Sequence, residues 1–270
     1  MSDAADAKAT WDRAHGRRAQ SPTLARIHRE VYGEDYFEDA VPNSFYYATL
    51  TDLRRVAHEL GVGQGHTIVD LGCGGGAPTV WVAGATGADL IGVDLSTVGL
   101  EQARRRAAAW NLTERVSFLS ADLRSTGLEA ASCDGAMSLD ALDTIPRADD
   151  RAAAIREAAR VLRPGARFVL TAWEWSAPSR MHQPPREPTG DYRPLITHGG
   201  FELEAYEESP DWRRRDRAVF ERLIEAGAEL SEELGDEGAR ALLRVARGNL
   251  EELRHRRRVF VIARRSLSSC

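Results

Sequence analysis

The stretch Asp70-Leu71-Gly72-Cys73-Gly74-Gly75-Gly76-Ala77 sets one carboxylate and four glycines between two apolar runs, a spacing suited to holding a small charged ligand. Ile68, Val69 and Leu71 read as the end of a buried strand, and Val80-Trp81-Val82-Ala83 as the first turns of a helix. Glycine lines such a turn because it takes positive φ and lets a ligand reach the backbone without meeting a Cβ. N–H groups at the helix start then favour an anion. Two ligand classes use this geometry. Gly72-x-Gly74-x-x-Ala77 fits the dinucleotide fingerprint, in which a pyrophosphate rests on the helix N-terminus. Asp70 argues the other way, because a carboxylate beside a pyrophosphate is repelled, whereas a cationic ligand group is attracted.

Further acids recur at the ends of successive apolar segments. Ala88-Asp89-Leu90-Ile91-Gly92-Val93-Asp94 reads as a second strand whose closing acid, 22 residues after Gly72, can accept from both hydroxyls of a ribose. Asp122, in Ala121-Asp122-Leu123, follows a third strand, Val116-Ser117-Phe118-Leu119. Ser138-Leu139-Asp140 closes a fourth, which begins at Cys133, and Val161 to Leu170 reads as a helix end, a Pro-Gly turn and a fifth strand. Each acid taken singly has a plainer reading as a helix cap or solvated loop residue. Repeated at the carboxyl ends of consecutive strands, they stand where open α/β sheets bind ligands.

The whole series, in this order, resembles the class I S-adenosylmethionine-dependent methyltransferases. Asp70-x-Gly72-x-Gly74-x-Gly76 is similar to the family's first motif. The resemblance implies S-adenosyl-L-methionine as cofactor, with Asp70, Gly72, Cys73 and Gly74 around its methionine part. Asp94 then accepts from the ribose, Leu95 borders the adenine, Asp122 and Leu123 hold the adenine edge, and Ser138 joins the cofactor set from the fourth strand. It also implies an α/β fold: a doubly wound, Rossmann-like, seven-stranded sheet with a reversed last strand.

These residues need elements to hold them. Ser21-Pro22 reads as an N-cap and first helical position ahead of Leu24, Ile27 and Val31, and a second helix over 47–60 ends at Gly61. Residues 1–64 are therefore expected to form an N-terminal helical leader, its first 20 residues frayed or loosely docked, and 65–270 the cofactor-binding domain. Between 66 and 173 strands alternate with helices over 77–86, 97–110 and 148–162. A proline-rich loop runs from Ala177 to Pro194. Phe201 to Tyr206 alternates as a half-buried strand, and Arg258 to Ala263 is a last β-rich run that fits the family's terminal antiparallel pair. An insertion over 211–255, with stripes at Trp212, Val219, Leu223, Ala226, Leu230 and at Leu242, Leu243, Ala246, Leu250, Leu253, reads as a helical hairpin. Such stripes serve as core against the sheet or as a homodimer face before they serve as a lid.

Composition narrows the partners. The 270 residues are 43% hydrophobic and 29% charged with net charge −5, an ordinary globular balance that offers no basic face to nucleic acid. The arginine runs at 213–215 and 254–258 alternate with acidic helices and read as solvated faces. Three cysteines, Cys73, Cys133 and Cys270, show neither CxxC nor metal-ligand spacing, so reduced thiols and no metal are expected. With no apolar run of membrane-spanning length and no secretory signal pattern, the reading is a cytoplasmic protein.

Methyl transfer from a sulfonium needs alignment more than a conspicuous base. Asp140 is the leading base or orienting candidate, its plainer role being to cap a turn or order the leader; Asp143 is a less central alternative, and His182 leads His28 and His198. Tyr32, Tyr36, Tyr46, Tyr47, Trp173 and Trp175 can wall an apolar pocket or face a sulfonium. The fourth-strand Ser-Leu-Asp-Ala-Leu departs from the Asn/Asp-Pro-Pro-aromatic signature of nucleic-acid amino-methyltransferases. The expected function is methylation of an oxygen, nitrogen or carbon of a small, partly apolar acceptor in specialised metabolism. A cyclase that uses the cofactor without transferring its methyl, and a nicotinamide oxidoreductase, are the alternatives.

Overall fold

The computed structural model describes residues 6–12, 21–37, 48–177 and 187–267. Its centre is one seven-stranded sheet: β1 (Thr67–Leu71), β2 (Asp89–Asp94), β3 (Val116–Ser120), β4 (Cys133–Leu139), β5 (Leu162–Trp175), β6 (Phe201–Glu208) and β7 (Arg256–Arg265). The spatial order is β3-β2-β1-β4-β5-β7-β6. Strands β1 to β5 pair in parallel, while β7 runs antiparallel to both neighbours, from Arg167↔Arg264 to Trp175↔Arg256 against β5. The strand order switches direction between β1 and β4, and the carboxyl ends of strands at such a switch are where doubly wound sheets take ligands.

Local sequence explains the helices. Ser21 caps α1 (Pro22–Tyr32), its hydroxyl accepting from the Leu24 N–H at 3.1 Å, and Pro22 fills the first turn where no donor is needed. Thr49 and Asp52 form a reciprocal capping box at the start of α2 (Leu50–Leu60), which Gly61 closes in the left-handed region. The crossovers between parallel strands are α3 (Ala77–Thr86), α4 (Thr97–Ala109) and α5 (Ala148–Val161). The short α6 (Arg193–His198) precedes β6.

Two apolar cores lie on the faces of the sheet. One joins Leu53, Val56 and Leu60 of α2 and Val80 and Val82 of α3 to Ile68, Leu90, Met137, Val169 and Phe260. The other sets Ala154, Ile155, Ala158 and Val161 of α5 against Val69, Leu71, Phe168, Leu170 and Val261. A third core is helical throughout: Ile27 of α1 packs with Val219, Phe220 and Leu223 of α7 (Trp212–Glu225) and Leu230, Ala239 and Ala246 of α8 (Gly227–Glu252). Helix α8 is broken at Gly235, whose φ of 70° and ψ of 164° are not helical.

Three expectations change here. The hairpin of the insertion closes chiefly on the leader helix α1, so leader and insertion share one cap. Residues 6–12 form a helical turn that is docked: Asp12 Oδ1 accepts from Ser96 Oγ at 2.8 Å and Val98 N at 3.3 Å, and Lys8 donates to Thr97 Oγ1 at 2.9 Å. The basic run at 254–258, which enters β7, is not a solvated face, because Arg256 and Arg258 are 5% and 2% exposed. A strand that enters the middle of a sheet alternates its side chains, so every second arginine is carried inward. No helix of the described residues is long and apolar enough to cross a membrane.

Candidate functional site

The glycine turn between β1 and α3 is held by its own backbone. The N–H groups of Gly72 and Cys73 both donate to Val93 O at the end of β2, at 2.8 and 3.1 Å, and Gly76 N donates back to Cys73 O. Gly72, at φ 88°, faces the turn after β4 so closely that a Cβ there would stand 2.3 Å from Ala141 Cβ and 3.6 Å from Leu123 Cδ1. Gly76, at φ 72°, would place a Cβ 2.5 Å from Ala103 Cβ, and as N-cap of α3 it supplies no side-chain cap. The loops that follow β1, β3 and β4 therefore meet at Gly72, and the loop after β2 meets the turn at Gly74.

That second meeting runs through Asp94. Its Oδ2 accepts the Gly74 N–H and its Oδ1 the Ser96 N–H, both at 2.8 Å, with a further backbone hydrogen bond at Leu95. Burial raises the Asp94 pKa, opposed by these amides and assisted by the nearby Asp12 charge. A carboxylate offers about four acceptor positions, so capacity for a ligand hydroxyl remains. Asp70 lies beneath the turn, 2% exposed, and accepts from Thr79 Oγ1 at 2.6 Å. Burial pushes its pKa up to about 7; the Thr79 hydroxyl opposes this and the Asp94 charge adds to it. A cation entering beside Asp70 would restore the charged form.

Other residues expected in the cofactor set have different surroundings. Ser138 is fully buried and spends its hydroxyl on Leu71 O at 2.8 Å, fastening β4 to β1. Cys73 is 3% exposed and packs at Gly92, where a Cβ would lie 2.9 Å from its Sγ; burial raises its pKa, which suits a small packing group rather than a nucleophile. Asp122 is turned onto Arg124, whose Nε and Nη2 engage both carboxylate oxygens while Nη1 reaches Asp150 at 2.9 Å. Burial would raise the Asp122 pKa, but Arg124 outweighs it and the value falls. Leu95 and Leu123 are half-buried at the rim.

On the β4 side, Asp140 takes a φ of 53°, rare for a residue with a Cβ, and its N–H donates to Thr171 O at 3.0 Å. Its carboxylate is clasped by Arg258 of β7, Nε to Oδ1 at 2.8 Å and Nη2 to Oδ2 at 2.9 Å. The carboxylate expected as a base or orienting residue has 6% side-chain exposure and both oxygens paired, an arrangement that holds a turn. The same guanidinium gives Nη1 to Asp52 Oδ2 at 2.8 Å, so the plainer role, ordering the leader, is what the contacts describe. Burial pulls the Arg258 pKa down, yet Asp140 and Asp52 together hold it above its usual value.

Two residues along β7, Arg256 pairs with Asp216 of α7 at 2.8 Å and Asn249 of α8 at 3.0 Å. Its guanidinium lies 4.6 Å from the Trp173 ring and within 6 Å of Trp175, Trp212 and Phe220. The expected cation-facing role of Trp173 and Trp175 is thus taken up by a cation of the chain itself. His182, Tyr46 and Tyr47 lie outside the described residues. His28 faces the cap interior, its ring against Tyr32 and its pKa lowered by burial, and His198 is exposed at the end of α6.

A family model for a methyltransferase domain matches residues 69–170. Over that segment the chain is similar to methyltransferases. It is 40% identical over 111 residues to the methyltransferase GfsG of Streptomyces halstedii, covering 41% of this chain and 39% of that protein. It is 38% identical over 121 residues to the 27-O-demethylrifamycin SV methyltransferase of Amycolatopsis mediterranei, covering 45% and 43%. The chain thus spans about two-fifths of the length of these relatives. Among solved structures, the 4+2 cyclase SpnF superimposes with a TM-score of 0.70 at 21% identity, covering 91% of this chain and 93% of that one, a likeness of fold.

The matched segment ends at Leu170, within β5, so it contains the glycine turn and Asp140 but neither Asp52 nor Arg258. Those two, with Asp12 at the Asp94 loop, are the site residues that sequence reasoning missed. For Arg258 a signal existed: Arg256, Arg258 and Phe260 share one face of a strand that the fold places between two others.

Proposed function

We propose that this protein binds S-adenosyl-L-methionine in the crevice around Gly72 and methylates an oxygen, nitrogen or carbon of a small, partly apolar metabolite. The observation that carries the reading is the convergence of the loops after β1, β2, β3 and β4 on one glycine turn, with Asp94 bridging Gly74 and Ser96. The residues suit the cofactor. Asp70 and Asp94 are acceptors for an ammonium and a ribose diol, and Leu95 and Leu123 offer apolar edges for a purine. Asp122, committed to Arg124, fits the adenine amino group only through acceptor capacity outside that pair.

Bound S-adenosylmethionine supplies an electrophilic methyl group with a neutral thioether as leaving group. The protein's part is alignment and exclusion of water, which together can contribute about 7 to 11 kcal/mol. The glycine turn and Asp94 fix the cofactor end. Asp140, held by Arg258, shapes the turn beside it, and the cap formed by α1, α7 and α8 is assigned to the acceptor side. The name of the Amycolatopsis relative, a 27-O-demethylrifamycin SV methyltransferase, supports a small-molecule acceptor.

Isothermal titration with S-adenosylmethionine and S-adenosylhomocysteine tests the reading. Binding of both is expected, weakened about tenfold or more by Asp94→Ala, which removes the acceptor shared by backbone amides of the turn and the ligand. Absence of heat with either ligand refutes it. Mass spectrometry of products for a gain of one methylene unit then separates transfer from cofactor-assisted cyclisation.

A further inference from the structure

We propose that Arg258 is a positioning residue that locks the cofactor cradle, through Asp140, to the leader helix α2 and the entrance of the helical insertion; the proposal rests on reading the glycine turn as the cofactor site. One guanidinium, 2% exposed, is fastened to three separate parts of the chain. Nε and Nη2 grip both oxygens of Asp140 in the turn after β4. Nη1 reaches Asp52, which sits in the capping box of the leader helix α2 and also accepts from Thr49 N at 3.1 Å. Ser209, at the entrance to the helical insertion, lies with its Oγ 3.4 Å from Nη1 and donates its backbone N–H to Arg258 O at 2.8 Å.

The turn that Arg258 grips is the one that presses on the cradle. Asp140 stands at φ 53°, and the next residue, Ala141, fills the space where Gly72 has no Cβ. Asp140 therefore transmits: a shift of Arg258 moves the turn, the turn carries Ala141, and Ala141 borders Gly72. A general base is a poor description of this carboxylate, since taking a proton would break one arm of the fork. A simple stabilising ion pair is a poor description too. Buried pairs of this kind contribute little net stability relative to apolar side chains of similar volume, and their best-attested return is a specified geometry. Here the geometry specified is that of a left-handed turn which an aspartate takes up less readily than glycine.

The test is the affinity for S-adenosylhomocysteine, measured by isothermal titration on the full chain for wild type, Asp140→Asn, Asp140→Gly, Arg258→Met and the double variant Arg258→Met/Asp140→Asn, with a thermal midpoint for each. Each single change is expected to weaken binding about tenfold, and the double variant no further than the weaker single, because both remove one linkage. Asp140→Gly is the sharpest arm. Glycine takes φ 53° without strain, so if the backbone turn alone mattered this variant would bind as wild type; the proposal expects it to bind as weakly as Asp140→Asn. A merely structural pair would lower the thermal midpoint and leave the affinity of the folded protein unchanged. Wild-type affinity in Asp140→Gly, or losses that multiply in the double variant, overturn the proposal. Should Arg258→Met fail to fold, the two Asp140 variants decide alone. Absence of binding by the wild-type protein would instead refute the cofactor reading, and this inference with it.

Discussion

The cradle and the seam beneath the cap hold their geometry by opposite means. Around Gly72 the work is done by backbone: amides of residues 72 and 73 on Val93 O, positive φ at glycines, and a carboxylate that accepts from main-chain donors. At the seam, side chains do it: Arg258 between Asp140 and Asp52, and Arg256 between Asp216 and a set of aromatic rings. Backbone cradles are stiff and tolerate no added atom. Buried ion pairs specify a geometry but cost desolvation, so they are sensitive to the loss of either partner. Under the proposed function the difference matches two tasks, since an invariant cofactor suits a rigid cradle and a particular acceptor suits a side-chain-built boundary.

Gly72→Ala should break the comparison at its stiff end with the largest effect. A Cβ at φ 88° and 2.3 Å from Ala141 Cβ must displace the turn, costing about 2 to 6 kcal/mol as backbone strain and overpacking combined. S-adenosylhomocysteine binding should disappear in titration, while circular dichroism of the variant still reports helices. Retained affinity would show that the cradle is softer than its contacts imply. Next in size, Arg258→Met leaves Asp52 and Asp140 buried without their cation and should lower stability by about 3 to 5 kcal/mol in urea denaturation. A loss below about 1 kcal/mol would place the seam among surface ion pairs in energetic terms.

The smallest effect sharpens the cradle by pH. The buried Asp70 carboxyl keeps its proton in the folded protein up to about pH 7, whereas in the unfolded chain it titrates near 3.8. Between those values the folded state binds more protons, so this group makes stability fall as pH rises through the window. Asp70→Asn should remove that share of the slope in urea titrations compared at about pH 5 and pH 8. An unchanged slope would mean that Asp70 is already ionised when folded.

How far the site was legible follows the same division. Ser21-Pro22, Gly61 and the run from Asp70 to Ala77 are local signals, and the elements they announce stand where expected, with α3 spanning Ala77–Thr86 as read. The reversed β7 was legible through the family's strand order. Local signals misled where the answer depended on what lay across the fold. Residues 6–12, with little apolar periodicity, dock through Lys8 and Asp12 on the Asp94 loop, and polar docking leaves no hydrophobic period to read. Ser138 and Asp122 lie in matching motifs, yet their polar atoms are committed to Leu71 O and Arg124. The arginines at 256 and 258 looked solvated because charge runs usually are; only their place in a central strand buries them.

By itself, the amino-acid order determined the alternation of strands and helices, the glycine turn and the acids that close successive strands, because each depends on residues within a few positions of one another. Only the tertiary structure decided which of those acids remain open to a ligand, and that the leader and the insertion share a core. It also decided that Asp140 is a clasped carboxylate. Its partner Arg258 lies 118 residues away, and a pairing across that distance is set by the packing of the sheet rather than by any local preference of the chain.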